Sequence, residues 1–213
     1  MNDGPPNVRP QPAPGSRFAV CFSGGSGIAY GLRLVEVLLQ LGHEVHLCAT
    51  GAALRVLIHE ARAKISLDAP DLASLFAVPL RERLRVHALE AVEAAPASGS
   101  AGIVAVIVVP CSMGTLGRIA HGLSGDLLLR TADVVLKEHR KLILVPRETP
   151  LNLVQIKNLE LLALAGAILL PANPSFYSRP RTAEDVADTV VARVLDHLGI
   201  AHQLVARWRE EAD

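Results

Sequence analysis

Arg147 and Glu148 follow an apolar run directly in "VPRETP" and are held by Thr149-Pro150. Charges at a strand end are costly unless they pair with each other or face a ligand. The two residues therefore read either as an ion pair that fixes its loop or as a cation and an acid turned toward a bound anion. In "LLLRTADVVLKEHR", Arg130, Asp133 and Lys137 fall at i, i+3 and i+7 of a helix. That spacing places them on one face, where two cations suit a phosphate dianion as well as they suit a solvated stripe. In "VPCSMGTL", Ser112 and Thr115 flank Gly114 at a strand-to-helix junction. Hydroxyls in such a place bind a flavin or nucleotide, or cap the helix. "SGGSG", residues 23–27, is a glycine turn between an apolar run and a helix, which points backbone N–H groups at the positive end of a helix dipole and makes an anion site. It carries neither the G-x-G-x-x-G nor the G-x-x-x-x-G-K-[ST] spacing, so a tight corner that binds nothing has the same form. Cys111 has no His or Asp in a recognisable relation to it and reads as a packing residue. The eight histidines show no ligand spacing, so no metal is assigned.

These groups must be positioned by the elements between them. Apolar runs at Phe18–Phe22, Val45–Cys48, Ile103–Val109, Leu142–Val145 and Ala167–Leu170 alternate with helical patterns at Ile28–Leu41, Thr50–Arg62, Thr115–Gly122, Leu127–His139, Leu151–Leu164 and Thr182–Leu198. Strands apolar on both faces, alternating with helices, predict an α/β fold: a single domain with a three-layer, doubly wound parallel sheet of Rossmann/flavodoxin-like type. In such sheets ligands bind at the carboxyl ends of the strands. The loops expected there are "SGGSG", "ATGAA", "VPCSMGTL", "VPRETP" and "PANPSFYSRP", all rich in small, hydroxyl-bearing or charged residues. Pro150 suits the first turn of the helix after the fourth strand. Residues 66–102 fit less well and read as an excursion, with a short strand at Leu84–Ala88 and a flexible "APASGSAG" segment.

With 213 residues, half of them apolar, the chain can build one substantial core. Its formal net charge is zero and it has seven aromatic residues, which argues against nucleic acid as a partner. The longest apolar runs, Ile103–Val109 and Leu161–Leu170, are too short to span a bilayer. Residues 1–16 hold five prolines and read as a disordered leader, neither a signal peptide nor part of the fold. Residues 17–200 are the folded domain and 201–213 a C-terminal tail. Cys21, Cys48 and Cys111 are odd in number and far apart, as in a reduced, cytoplasmic protein.

The motifs "SGGSGIAYGLRL", "VPCSMGTLGRIAHG", "LLLRTADVVLKEHRKLILVPRETPL", "GAILLPANPSFYSRP" and "VARVLDHLGI" occur in that order across residues 23–200. Together they resemble the UbiX-type flavin prenyltransferases, a branch of the homo-oligomeric flavin-containing flavoproteins. The resemblance implies that Gly24, Gly25, Ser26, Thr50, Ser112, Met113, Gly114, Thr115 and Arg147 contact FMN. It implies dimethylallyl monophosphate as second substrate, its phosphate held by Lys137, Tyr177 and Arg193 with Arg130 nearby. Glu60 and Glu148 match acidic positions linked to proton transfer, Ser26 would position the flavin N5, and Trp208 matches a tail residue that closes over the prenyl site. The implied product is prenylated FMN, bonded at N5 and C6, for a UbiD-type decarboxylase. The implied assembly is a homododecamer whose sites lie at subunit junctions and whose tail packs over the site or a neighbouring subunit. The chemistry is consistent with these residue types, because a monophosphate leaves poorly without cations and a proton donor on the departing oxygen. Departures from the family pattern are Gln155 at a usual histidine, Gly25 at a usual alanine and Asp126 at a usual asparagine or glycine. Two other readings share the expected fold: a flavin-dependent peptidyl-cysteine decarboxylase and a non-catalytic FMN-binding chaperone subunit.

Overall fold

Side chains that are apolar at successive strand positions cannot all face one core, so the strands must be covered on both faces. A computed structural model of the chain describes residues 11–205 and shows that arrangement. The elements run β1 (Arg17–Phe22), α1 (Ile28–Gln40), β2 (Glu44–Ala49), α2 (Gly51–Glu60), β3 (Leu84–Val86), β4 (Ile103–Cys111), α3 (Met113–Ala120), α4 (Leu127–Lys137), β5 (Lys141–Pro146), α5 (Leu153–Leu164), β6 (Ile168–Leu169) and α6 (Ala183–Leu198). All strand pairs are parallel, in the order β3-β2-β1-β4-β5-β6.

Alternate residues feed two cores. Phe18, Val20 and Phe22 join Val45, Leu47 and the buried faces of α1, α2 and α6, while Ala19, Cys21 and Cys48 join the buried faces of α3, α4 and α5. The strand β4 serves both cores with one correction of phase: Arg17 pairs with Ile103 but Phe18 with Ala105, leaving Val104 as an extra residue. A bidentate ion pair of Arg33 with Asp188, 2.7 and 3.2 Å, ties α1 to α6 within the first helical layer.

Sheet order reverses between β1 and β4, so the chain leaves β1 for one helical layer and leaves β4 for the other. A crevice opens at their carboxyl ends, the place where open α/β sheets bind ligands. The expected excursion 66–102 lies within the connection from α2 to β4, which contributes short 3-10 turns and the edge strand β3, ending at Val86 rather than Ala88. Without it the remaining strands follow the flavodoxin order.

Three local expectations are corrected. The fifth helix begins at Leu153 rather than Leu151, because Asn152 is its N-cap and forms a capping box with Gln155. Pro150 therefore lies ahead of the helix in the loop 147–152 and not in its first turn. The helix α3 begins at Met113, two residues before Thr115, because the Ser112 hydroxyl caps it. No helix among the described residues is long and apolar enough to cross a membrane.

Candidate active site

The turn after β1 is built by contacts that its glycines permit. A Cβ on Gly24 would lie 2.6 Å from the Ala52 Cβ, and Gly27 sits at φ +97° as the N-cap of α1. This brings the turn against the first turn of α2 and frees the amides at the start of α1. Those amides do not wait for a ligand. Glu60, the last residue of α2, places Oε2 2.9 Å from the Gly27 amide and 3.1 Å from the Ile28 amide, both of which donate to it. The expected anion site at this helix terminus is thus occupied by the chain's own carboxylate. Among the described residues, nothing accepts from the amides of Gly24, Gly25 and Ser26, so the open donors lie one step earlier, in the turn itself. Burial alone would push the Glu60 carboxyl up. The Ser26 hydroxyl, the two amides and the Arg147 charge outweigh that and hold it below its ordinary range.

Arg147, exposed at the end of β5, acts electrostatically on both Glu60 and Tyr30. It is not held by its neighbour Glu148, whose Oε1 accepts from the Thr149 amide at 3.1 Å. The turn is fastened to the loop after β4 by Ser23. Its buried hydroxyl donates to the Pro110 carbonyl at 2.9 Å and accepts from the Ser112 amide at 2.7 Å. Ser112 caps α3 through Thr115, Thr50 caps α2 by accepting from the Ala53 amide at 3.1 Å, and a Cβ on Gly114 would meet nothing within 4 Å. Ser26, Thr50, Ser112, Gly114 and Arg147 are thus gathered along the carboxyl edge around the β1/β4 switch point. A cleft of about 450 Å³ continues past Met113 and Gly114 between α3 and the start of α5, lined also by Arg118, His121, Gln155 and Asn158.

The phosphate-binding candidates are not gathered in the same way. Lys137 ends α4, and Arg140 just beyond it donates to the Ile103 carbonyl at the start of β4, so Lys137 lies at the amino edge of the sheet. Arg130 shares that helix, 4.0 Å from Asp133. Arg193 lies one turn before His197, whose carbonyl accepts from Lys141 Nζ at the first residue of β5. It too belongs to the amino edge, but on the opposite helical layer. The exposed Tyr177 is on the α6 side, since the Ser175 amide donates to Thr189 Oγ1 one turn before Arg193. A six-residue strand spans roughly 20 Å, so Lys137 and Arg193 are separated from the glycine turn by the length of the sheet and from each other by its thickness. Trp208 lies outside the described residues.

Sequence reasoning did not single out Ser23, Tyr30 or Asp196. Ser23 carried a trace of its role, a hydroxyl opening a glycine turn, whereas the contacts of Tyr30 and Asp196 depend on the fold. Cys111 is fully buried and its thiol is pushed up to about 12 by burial, in keeping with a packing role. No group of three or more His, Cys, Asp or Glu side chains that could hold a metal ion occurs among the described residues.

A family model described as Flavoprotein matches residues 7–195. The flavin prenyltransferase UbiX of Halalkalibacterium halodurans is 45% identical over 196 residues, covering 92% of this chain and 95% of that protein. A crystal structure of a UbiX in complex with FMN and dimethylallyl pyrophosphate superposes with a TM-score of 0.80 at 34% identity, covering 91% of this chain and 97% of that one. A dodecameric FMN-dependent UbiX-like decarboxylase from Escherichia coli O157:H7 gives 0.79 at 35% identity, covering 91% of this chain and 99% of that one. With both chains matched over nearly their whole length, this chain belongs to the flavoprotein family and, within it, to the UbiX flavin prenyltransferases.

Proposed function

We propose that this chain transfers a dimethylallyl group from dimethylallyl monophosphate to N5 and C6 of reduced FMN, forming prenylated FMN for a UbiD-type decarboxylase. Beyond family membership, one observation carries the reading: Ser26 and Arg147 act on Glu60, which caps α1 directly beside the three open amides of Gly24, Gly25 and Ser26 at the switch point. Those residues fit a flavin, with the amides of Gly24, Gly25 and Ser26, the hydroxyls of Thr50, Ser112 and Thr115, the open face over Met113 and Gly114, and Arg147 holding it. Reduced FMN supplies the electron-rich N5 and C6 that take the prenyl carbons.

The Ser26 hydroxyl lies close enough to Glu60 to lower its carboxyl, and a hydroxyl accepts as well as donates. Ser26 Oγ is therefore set to receive the proton released from N5 and hand it to the Glu60 carboxylate. A carboxylate held below its ordinary range acts here as an acceptor and not as an acid. Glu148 serves at the other end of the reaction, relaying a proton to the departing phosphate oxygen as the allylic C–O bond breaks. Lys137, Tyr177 and Arg193, with Arg130, neutralise the phosphate. Because one chain keeps Arg130 and Lys137 on one layer and Tyr177 and Arg193 on the other, each complete clamp is assembled from neighbouring copies in a homododecamer, with residues 201–213 packing over the site.

Phosphate release tests this directly. Under anaerobic conditions the enzyme is expected to free one inorganic phosphate per flavin from dimethylallyl monophosphate, with reduced FMN and not with oxidised FMN. Release independent of the flavin's redox state, or none at all, would contradict it; release of pyrophosphate from the diphosphate ester at an equal rate would replace the monophosphate as the donor.

A further inference from the structure

The helix α6 ends at Gly199, φ +78°, and the Ile200 amide returns to the Leu195 carbonyl at 3.0 Å, which folds the chain back over the last turn of its own helix. His202 is carried back with it and buried, with 6% of its side chain exposed and Nε2 3.2 Å from Asp196 Oδ1. The other carboxylate oxygen of Asp196 accepts from Arg193 at 2.9 Å. A carboxylate only accepts, so His202 Nε2 carries the hydrogen. Nδ1 is then left buried with no partner among the described residues.

This arrangement works against simple stability. An exposed i,i+3 ion pair contributes little to stability, and a carboxylate beside a phosphate-binding guanidinium repels the phosphate. A role in holding the guanidinium accounts for both. We propose that Asp196 is a positioning residue for the phosphate clamp: it fixes Arg193 through one N–H, leaves the remaining donors of the guanidinium for the donor's phosphate, and ties that cation to the turn after α6 through His202. The proposal rests on Arg193 being a phosphate ligand. It reaches beyond that reading by assigning work to two residues that touch no substrate.

The test is a set of steady-state measurements with dimethylallyl monophosphate and reduced FMN on D196N, H202Q, R193A and the double variant R193A/D196N. D196N keeps an acceptor toward His202 and turns an amide N–H toward Arg193. It is expected to raise KM for the allylic donor about tenfold, with kcat within about twofold and FMN affinity unchanged. H202Q shifts KM in the same direction by less. The double variant should match R193A alone, because a residue that acts only through Arg193 has nothing left to position. If R193A raises KM and D196N does not, Asp196 has no such role while the clamp reading stands. Additive losses in the double variant, or loss of FMN affinity in D196N, would make the contact merely structural. A normal KM in R193A removes both Arg193 from the clamp and Asp196 from this role.

Discussion

Glu60 takes two amides at the start of α1 that a phosphate would otherwise claim, and the consequence can be read in its titration. Its carboxyl is held below the ordinary range despite the pull of burial, by Ser26, by the Gly27 and Ile28 amides and by Arg147. A depressed carboxyl contributes stability that is present above its unfolded pKa of about 4.3 and is lost as pH falls through the folded value. The urea midpoint should accordingly fall as pH drops below about 4.5, and E60Q should flatten that part of the curve; equal slopes in both proteins would deny the contact. In the activity profile Glu60 stays ionised across neutral pH, so an acid limb above pH 5 belongs to another group. The thiols give a second residue-scale prediction. Cys21 is buried and hydrogen-bonded with Cys48, and both effects push it well up, while Cys111 is pushed to about 12. Thiolates are the reactive species, so Cys21 and Cys111 should resist a thiol reagent at pH 8 in the folded protein and react once denatured.

At the level of elements, the strands and helices are legible because their patterns are local. Strands such as Leu142–Val145 are apolar on both faces, and helices such as α4 and α6 carry apolar residues at helical spacing behind the caps Asp126 and Thr182. The start of α5 was less legible. Pro150 is a fair N1 residue, but the Asn152–Gln155 capping box three residues apart is the stronger marker and sets the boundary at Leu153. That box also accounts for Gln155, whose side chain accepts from the Asn152 amide at 3.0 Å. Substituting Asn152 by Ala should lower stability by about 1 kcal/mol, read as a reduced melting temperature. The candidate site was legible as loops and residue types only. Nothing near Glu60 in sequence says that it will reach back 33 residues to cap α1, and nothing near Arg193 says that Lys137 lies across the sheet from it. Such placements follow from the order of the strands, which the chain's local patterns leave open.

At the scale of the whole molecule, the proposed phosphate clamp, with Arg130 and Lys137 on one helical layer and Arg193 on the other, calls for more than one copy. The helix α5 has the surface for it: Leu153, Val154 and Leu164 are 67%, 68% and 80% exposed, with Ile156 and Leu161 beside them. A helix apolar on nearly every side belongs in the interior of something larger. Replacing Leu164 by Glu should lower the mass found by sedimentation and reduce prenyl transfer together; a full-size assembly in that variant would move the contact elsewhere. Co-expression of K137A with R193A, each inactive alone, should restore part of the activity through sites that draw both intact residues from different copies. The central claim is most directly tested by anaerobic incubation of the protein with FMN, dithionite and dimethylallyl monophosphate, followed by mass spectrometry of the released flavin. A flavin heavier by one C5H8 unit is the expected result. Recovery of unmodified FMN alone, from protein that binds the flavin and both donor esters, would contradict prenyl transfer.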